Sequence, residues 1–283
     1  MGGQQRNIGW AQRGGGDTFM RNMQEIRRVV VKIGSSSLTY DNGKLAFHKI
    51  EQLARSLADI HNGGRDVVLV SSGAIAAGVA ALHLPHRPNT TEGKQAAAAV
   101  GQGTLMQLYE RFFLEYRQSV AQILLTRDVM EHSIRRRNAA NTFDKLFEYD
   151  VIPIVNENDT ISVSELMFTD NDELSGLIAS MMDAQALIIL SNIDGIYNGS
   201  PADPDSSVIR EIGHGKDLSN YIQASKSSFG RGGMLTKTNI ARKVDDEGIT
   251  VIIANGKREN ILVDLLQHPE DTLCTRFIPA EEP

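Results

Sequence analysis

The chain has 283 residues, 41% of them hydrophobic and 23% charged, with a formal net charge of −6. This composition describes a globular chain able to bury a sizeable core, and the negative balance excludes a nucleic-acid binder that works through charge alone. Cys274 is the one cysteine, which excludes an intrachain disulfide or a cysteine-built zinc centre and suits a reducing compartment; no apolar run approaches about 18 residues, so no membrane-spanning helix is expected and the expected location is cytoplasmic.

Residues 1–26 are rich in Gly and Gln, have no hydrophobic period and carry the single tryptophan, Trp10. They read as a leader or disordered arm, with a native start near Met20 or Met23. The remainder, 27–283, reads as one domain. Arg28 to Ile33 is an apolar, β-branched run that breaks into Gly34-Ser35-Ser36-Ser37. A glycine followed by hydroxyls directly after a strand can turn backbone N–H groups towards phosphate. Lys32 lies inside that run, where an ammonium is costly unless it serves an anion; an edge-strand lysine reaching out to water is the plain alternative.

Ile50, Leu53, Leu57 and Ile60 recur at helical spacing, and His61-Asn62-Gly63-Gly64 closes the helix in a C-cap pattern. His61 reads as a capping or surface residue. Asp66 to Val70 is a second strand, breaking into Ser71-Ser72-Gly73-Ala74 before another helix. The rhythm of strand, small loop and helix implies right-handed crossovers and a parallel sheet. Thr91 to Arg117 is a long alanine-rich helical pattern interrupted by Gly101 and Gly103, which would permit close helix packing or mark a kink. Ala121 to Leu125 is a third strand. Arg135, Arg136 and Arg137 form a basic run on the helix that follows, a solvated face.

Val151 to Val155 is a fourth strand that stops at Asn156-Glu157-Asn158-Asp159, and a second polar cluster, Thr169-Asp170-Asn171-Asp172, lies beyond the alternating segment Ile161 to Phe168. Ligands of parallel sheets bind past the carboxyl ends of strands. Singly, either cluster reads as a turn; together they can hold a small molecule bearing an ammonium and a carboxylate. Glu173 to Met182 is a helix capped by Asp170 or Asp172. Ala186 to Leu190 is a fifth strand ending at Ser191-Asn192, and the glycines of Phe229-Gly230-Arg231-Gly232-Gly233 precede a helix from Met234 to Glu247, so free N–H groups would face that loop. Thr250 to Ala254, Asn260 to Leu266 and Thr272 to Ile278 complete the pattern as strand, helix and closing strand. The fold class is therefore α/β, a mainly parallel central sheet with helices on both faces. No Walker loop, dinucleotide fingerprint or protein-kinase signature is present.

The motifs V-V-V-K-I-G-S-S-S-L-T (29–39), V-S-S-G-A-I-A-A-G (70–78), P-I-V-N-E-N-D (153–159), T-D-N-D-E-L (169–174) and G-R-G-G-M-L-T-K (230–237) resemble the amino-acid-kinase family. The last four together resemble the branch that phosphorylates the side-chain carboxylate of L-glutamate. The resemblance runs from about Arg27 to Ile278 and implies a three-layer α/β/α sandwich, ATP and Mg²⁺. It implies that Lys32 and Lys237 contact the transferring phosphate and that Asp172 holds both lysines. Ser72, Gly73, Asp159 and Asn171 would bind substrate, and Lys32, Gly34, Ser35, Ser191, Asn192 and the loop Arg231, Gly232, Gly233, Met234, Leu235, Thr236 and Lys237 would bind ATP. No protein ligand to the metal is named. Feedback inhibition by proline and a homodimer or homotetramer are further implications. A sister kinase acting on acetylglutamate, carbamate or UMP, or a non-catalytic member, are the competing readings. The sequence departs from the pattern at Ser191-Asn192, where Thr-Asp is common, and at Arg231, where a small residue is frequent. Many members carry a C-terminal PUA domain similar to RNA-binding modules; with the sequence stopping at Pro283, a short form without that domain and without a nucleic-acid partner is expected.

Overall fold

The computed structural model describes residues 26–162, 170–216 and 233–279. The expected leader, the segment around Phe168, and Arg231 with Gly232 lie outside the described residues. Ile26, at the edge of the expected arm, is buried in the core.

Eight strands form one sheet: β1 Arg28–Ile33, β2 Asp66–Val70, β3 Ser119–Leu125, β4 Val151–Glu157, β5 Ala186–Ser191, β6 Glu211–Gly213, β7 Thr250–Asn255 and β8 Cys274–Ile278. Their order is β3-β4-β2-β1-β5-β7-β8-β6, and every pair is parallel except β7 with β8. The helices are α1 Ser35–Leu38, α2 Phe47–Asn62, α3 Ala74–Ala81, α4 Thr91–Leu114, α5 Arg127–Glu131, α6 Ser133–Glu148, α7 Asn171–Met181, α8 Gly233–Asp245 and α9 Ile261–Gln267. Among the described residues, no helix is long and apolar enough to cross a membrane.

The central strands read as unbroken apolar runs because both faces are covered. Side chains alternate between two cores. Val29, Val31, Ile188 and Ile252 face a core shared with Ile50, Leu57, Leu105 and Leu262 of α2, α4 and α9. Val30, Leu187, Ile189 and Val251 face the opposite core, built with Phe143, Leu174, Ile178 and Val244 of α6, α7 and α8. Lys32 is two residues beyond Val30 and therefore emerges on the α7–α8 side.

Three local expectations change and one open alternative is decided. His61 is buried, not exposed: its ring bonds the Arg65 carbonyl and the Asp150 carboxylate, each at 2.9 Å. The helix end itself follows the expectation, with Gly63 N–H donating to the Asp59 carbonyl and Gly64 in the left-handed region at φ 89°. Asp170 occupies the N-cap position of α7 without a side-chain capping bond, and Asp172 lies inside the first turn with another task. The short strand β6 was not foreseen. Gly101 is a packing residue rather than a kink: a Cβ there would stand 1.8 Å from the Ala74 carbonyl oxygen, and one at Gly78 1.8 Å from that of Ala97. The two glycines let α3 and α4 touch backbone to backbone.

Candidate active site

The strand order places a topological switch at β1. The chain builds β2 and β4 on one side of β1, then returns to build β5 and β7 on the other. Crevices at the carboxyl ends of strands form where the order reverses in this way. The last residues of β1 and the turn that follows therefore face a cleft fed from both sides.

Lys32 is not an edge residue. It lies in a central strand, 3% exposed, with its Nζ 2.6 Å from Asp172 Oδ1 and 3.7 Å from Asp170 Oδ1. Lys237 on α8 donates to the other oxygen of the same carboxylate, Oδ2, at 2.8 Å. Asp172 is fully buried. Burial alone would raise its carboxyl, but the two lysine charges and their hydrogen bonds outweigh that and hold it below the usual carboxylate value. One buried acid thus braces two cations. Packing makes this possible: a Cβ on Gly176, one turn after Asp172, would meet Ile240 Cγ2 at 2.7 Å and Val244 Cγ2 at 3.1 Å. Ile240 and Val244 share a helix face with Lys237, so the bare backbone at 176 lets α8 approach until Lys237 reaches Asp172. Gly34 sits directly beside the Lys32 ammonium: a Cβ there would lie 3.7 Å from Nζ, in ordinary contact.

On the β2–β4 side a cavity of about 1460 Å³ is lined by Ser35, Ser72, Gly73, Asp159, Asp170 and Asn171, among others. Gly73 has φ 105° and starts α3, a left-handed conformation that side-chain-bearing residues seldom adopt. Asn171 Nδ2 donates to the Ser71 carbonyl (2.9 Å), Ser72 Oγ (2.9 Å) and Asn156 Oδ1 (3.0 Å). Because a carbonyl only accepts, the amide nitrogen is fixed on that side and Asn171 Oδ1 is the opposite end. Burial and then the neighbouring Glu157 charge push the Asp159 carboxyl up to about 6, with Arg87 opposing. A cation placed there would relieve that crowding of negative charge.

On the β5–β7 side Ser37 Oγ donates to the Ser191 carbonyl at 3.5 Å, and Ser191 Oγ to Asn192 Oδ1 at 3.4 Å. Sequence reasoning did not single out Asp194, Asn255, Gly256 or Arg258 beside them. Asn255 Nδ2 and Arg258 Nε donate to Asp194 Oδ1 at 3.0 and 2.7 Å. Burial would raise the Asp194 carboxyl, and these bonds outweigh it and lower it. The signal was available: Asn255-Gly256 follows β7 as Gly34-Ser35 follows β1. Met234, Leu235 and Thr236 belong to the first turn of α8, next to Lys237.

For a magnesium ion the donor set matters. Asp172 is committed to two lysines, and the one three-ligand group of His and Asp among the described residues is His214, Asp245 and Asp246. Asp245 is eight residues beyond Lys237, about 12 Å along the helix. The residues present fit an ion carried by nucleotide phosphates and water rather than by a protein cage.

The amino acid kinase family model matches residues 27–255. Glutamate 5-kinase of Bacteroides thetaiotaomicron is 61% identical over 259 residues, covering 92% of this chain and 72% of that protein. Glutamate 5-kinase of Clostridium acetobutylicum is 44% identical over 270 residues, covering 94% of this chain and 100% of that protein. Among solved structures, UMP kinase from Ureaplasma parvum superimposes with a TM-score of 0.61 at 16% identity, over 89% of this chain and 99% of that one. Isopentenyl phosphate kinase of T. acidophilum gives a TM-score of 0.62 at 13% identity, over 88% and 99%; at such identities the likeness is one of fold. Sheet order, layering and sequence agree, and the chain belongs to the amino acid kinase family.

Proposed function

We propose that this chain is an ATP-dependent kinase that transfers the γ-phosphoryl group to the side-chain carboxylate of L-glutamate, giving L-glutamyl 5-phosphate, the first step towards proline. The observation that carries the reading is the pair Lys32 and Lys237 braced by Asp172, with Lys32 3.7 Å from Asp170, which lines a cleft together with Asp159 and Asn171. The high identity to relatives named glutamate 5-kinase supports the same substrate.

The chemistry follows from charge. A glutamate side chain has a pKa of about 4.3, so at neutral pH the acceptor is already an anion and needs no general base. The obstacle is bringing a carboxylate up to a polyphosphate. Catalysis reduces to in-line positioning and stabilisation of charge on the transferring group. Lys32 and Lys237 supply fixed positive charge, and Asp172 keeps them together and aimed. Asp159 and Asn171 Oδ1 receive the substrate ammonium; Ser72 and the N–H groups opening α3 at Gly73 receive the α-carboxylate. ATP is bound by Gly34, Ser35, Ser191 and Asn192 and by the residues from Arg231 to Lys237. Magnesium, when bound, neutralises phosphate oxygens. A cytoplasmic location, a homodimer or homotetramer, and feedback inhibition by proline belong to the same proposal.

ADP release coupled to a reporter tests it. L-glutamate should drive turnover, and acetylglutamate, carbamate and UMP should not. The reverse pattern would reassign the substrate, and nucleotide binding without any turnover would make the chain a non-catalytic member.

A further inference from the structure

Helix α4 lines the cavity only at Thr104 and Leu108, yet one stripe of it is polar. Gln95, Gln102 and Tyr109 are spaced by seven residues and share a face. Each grips a different loop of the substrate side. Gln95 Nε2 donates to the Ser162 carbonyl at 3.3 Å, just beyond Asp159. Gln102 Oε1 accepts from Asn156 Nδ2 at 3.0 Å. Tyr109 OH bonds Ser71 Oγ at 2.8 Å, next to Ser72. Gln102 and Tyr109 are buried, and Gly101 brings the helix close enough to α3 for this contact.

The middle bond has a consequence for recognition. Asn156 Oδ1 accepts from the Glu157 backbone N–H at 2.9 Å, so its amide orientation is forced and its Nδ2 must find an acceptor in a buried place. Gln102 is that acceptor. With Asn156 held, its Oδ1 also receives Asn171 Nδ2, adding to the Ser71 carbonyl that sets the orientation of the Asn171 amide. The amides form a relay from α4 to the cleft.

We infer that Gln102 is a positioning residue for the amino-acid substrate: by holding the Asn156 side chain it steadies the position of Asn171, and so the strength with which the ammonium group is held. This rests on the glutamate reading given above. Gln102→Met fills similar volume but removes the acceptor, leaving a buried N–H unpaired. It should raise KM for glutamate about tenfold while kcat and KM for ATP stay within about twofold. Gln102→Glu retains an accepting oxygen and should restore KM to within about threefold of the parent. In an Asn171→Ala background, Gln102→Met should leave KM for glutamate unchanged, because the relay then has no end.

A purely structural role predicts something else: a lower melting temperature and a smaller active fraction, with KM for glutamate unmoved. That result, or an equal rise in KM with and without Asn171, overturns the inference. Should Gln102→Met fail to fold, Gln102→Asn withdraws the acceptor by one carbon–carbon bond, about 1.5 Å, keeps the site polar, and must give the same rise in KM. If the parent turns over another acceptor and not glutamate, the substrate assignment falls; the same variants measured on that acceptor then decide the relay separately.

Discussion

Asp172→Asn keeps the outline of the side chain and deletes the charge that Lys32 and Lys237 share. The carboxylate is fully buried, its oxygens 2.6 and 2.8 Å from the two ammonium groups, and those lysine side chains are 3% and 12% exposed. Removing one partner of a buried ion pair costs about 3–5 kcal/mol. Viewed from the lysines, two ammonium groups about 5 Å apart in an effective dielectric near 20 repel by about 3 kcal/mol, the same effect counted once. At about 2–4 °C per kcal/mol for a domain of this size, the melting temperature should fall by roughly 6–20 °C. Saturating MgATP brings the negative charge that the variant lacks, so nucleotide should raise the variant's melting temperature more than the parent's. Glutamate-dependent kcat should drop by about 100-fold or more, since fixed charge aimed at the transferring group is lost. Thermal unfolding with and without nucleotide, beside an ADP-release assay, reads all three. A variant melting within about 2 °C of the parent, with kcat within about threefold, would refute the bracing role.

Lys237→Ala should lose at least about 100-fold in kcat with glutamate KM changed less than about threefold, because its charge matters most when phosphoryl charge develops; steady-state kinetics with near-parent kcat would remove Lys237 from the reaction. The Asp159 carboxyl is pushed up to about 6, and its ionised form is the partner proposed for the ammonium. Binding should therefore strengthen as pH rises through 6: glutamate KM should fall between pH 5 and pH 7, steeply below about 6 and little above, and Asp159→Asn should flatten that profile at a high KM. A pH-independent KM in the parent would exclude Asp159 from substrate binding. Gly176→Ala places a methyl 2.7 Å from Ile240 Cγ2, which must push α8 outward at an overpacking cost of about 1–3 kcal/mol. Its kcat should fall more than either KM rises, and a variant with unchanged kcat and melting temperature would show that the α7–α8 approach does not set the position of Lys237.

Sequence and structure divide along a physical line. Lys32 was legible from its neighbours, since a lysine inside a β-branched run must be either at an edge or in service, and β1 is central. The strands came from unbroken apolar runs, and the glycines beyond β1 and β2, Gly34 and Gly73, marked the end where ligands approach. Asp172 and Lys237 carry no such local anomaly; their pairing spans 65 residues and came only from the family resemblance. Gly176 is silent in sequence because a glycine inside a helix shows its reason only when the neighbouring helix is in place. Gln102 is invisible for the same cause: its partner Asn156 is 54 residues away. His61 was misplaced because a histidine at a helix end usually faces water, and here Asp150 covers it. β6 has three residues, too few for any period to register.

The position of Lys32 on β1 also constrains how the two reactants meet. Residues proposed for the acceptor come from the ends of β2 and β4 and from the start of α7. Those proposed for the nucleotide come from β1 and the turn after it, from the end of β5 and from the start of α8, and β2 and β4 lie on the opposite side of β1 from β5. A donor and an acceptor arriving from opposite sides of one strand end approach each other head-on, as in-line phosphoryl transfer requires. Asp172, at the buried first turn of α7 beside Asn171, joins Lys32 of the sheet to Lys237 of α8. Changes on the β2–β4 flank should therefore be felt in the affinity for the amino acid, changes on the β5–β7 flank in the affinity for nucleotide, and changes along the Lys32–Asp172–Lys237 line in the rate of transfer. That separation is a consequence of strand order rather than of any single residue.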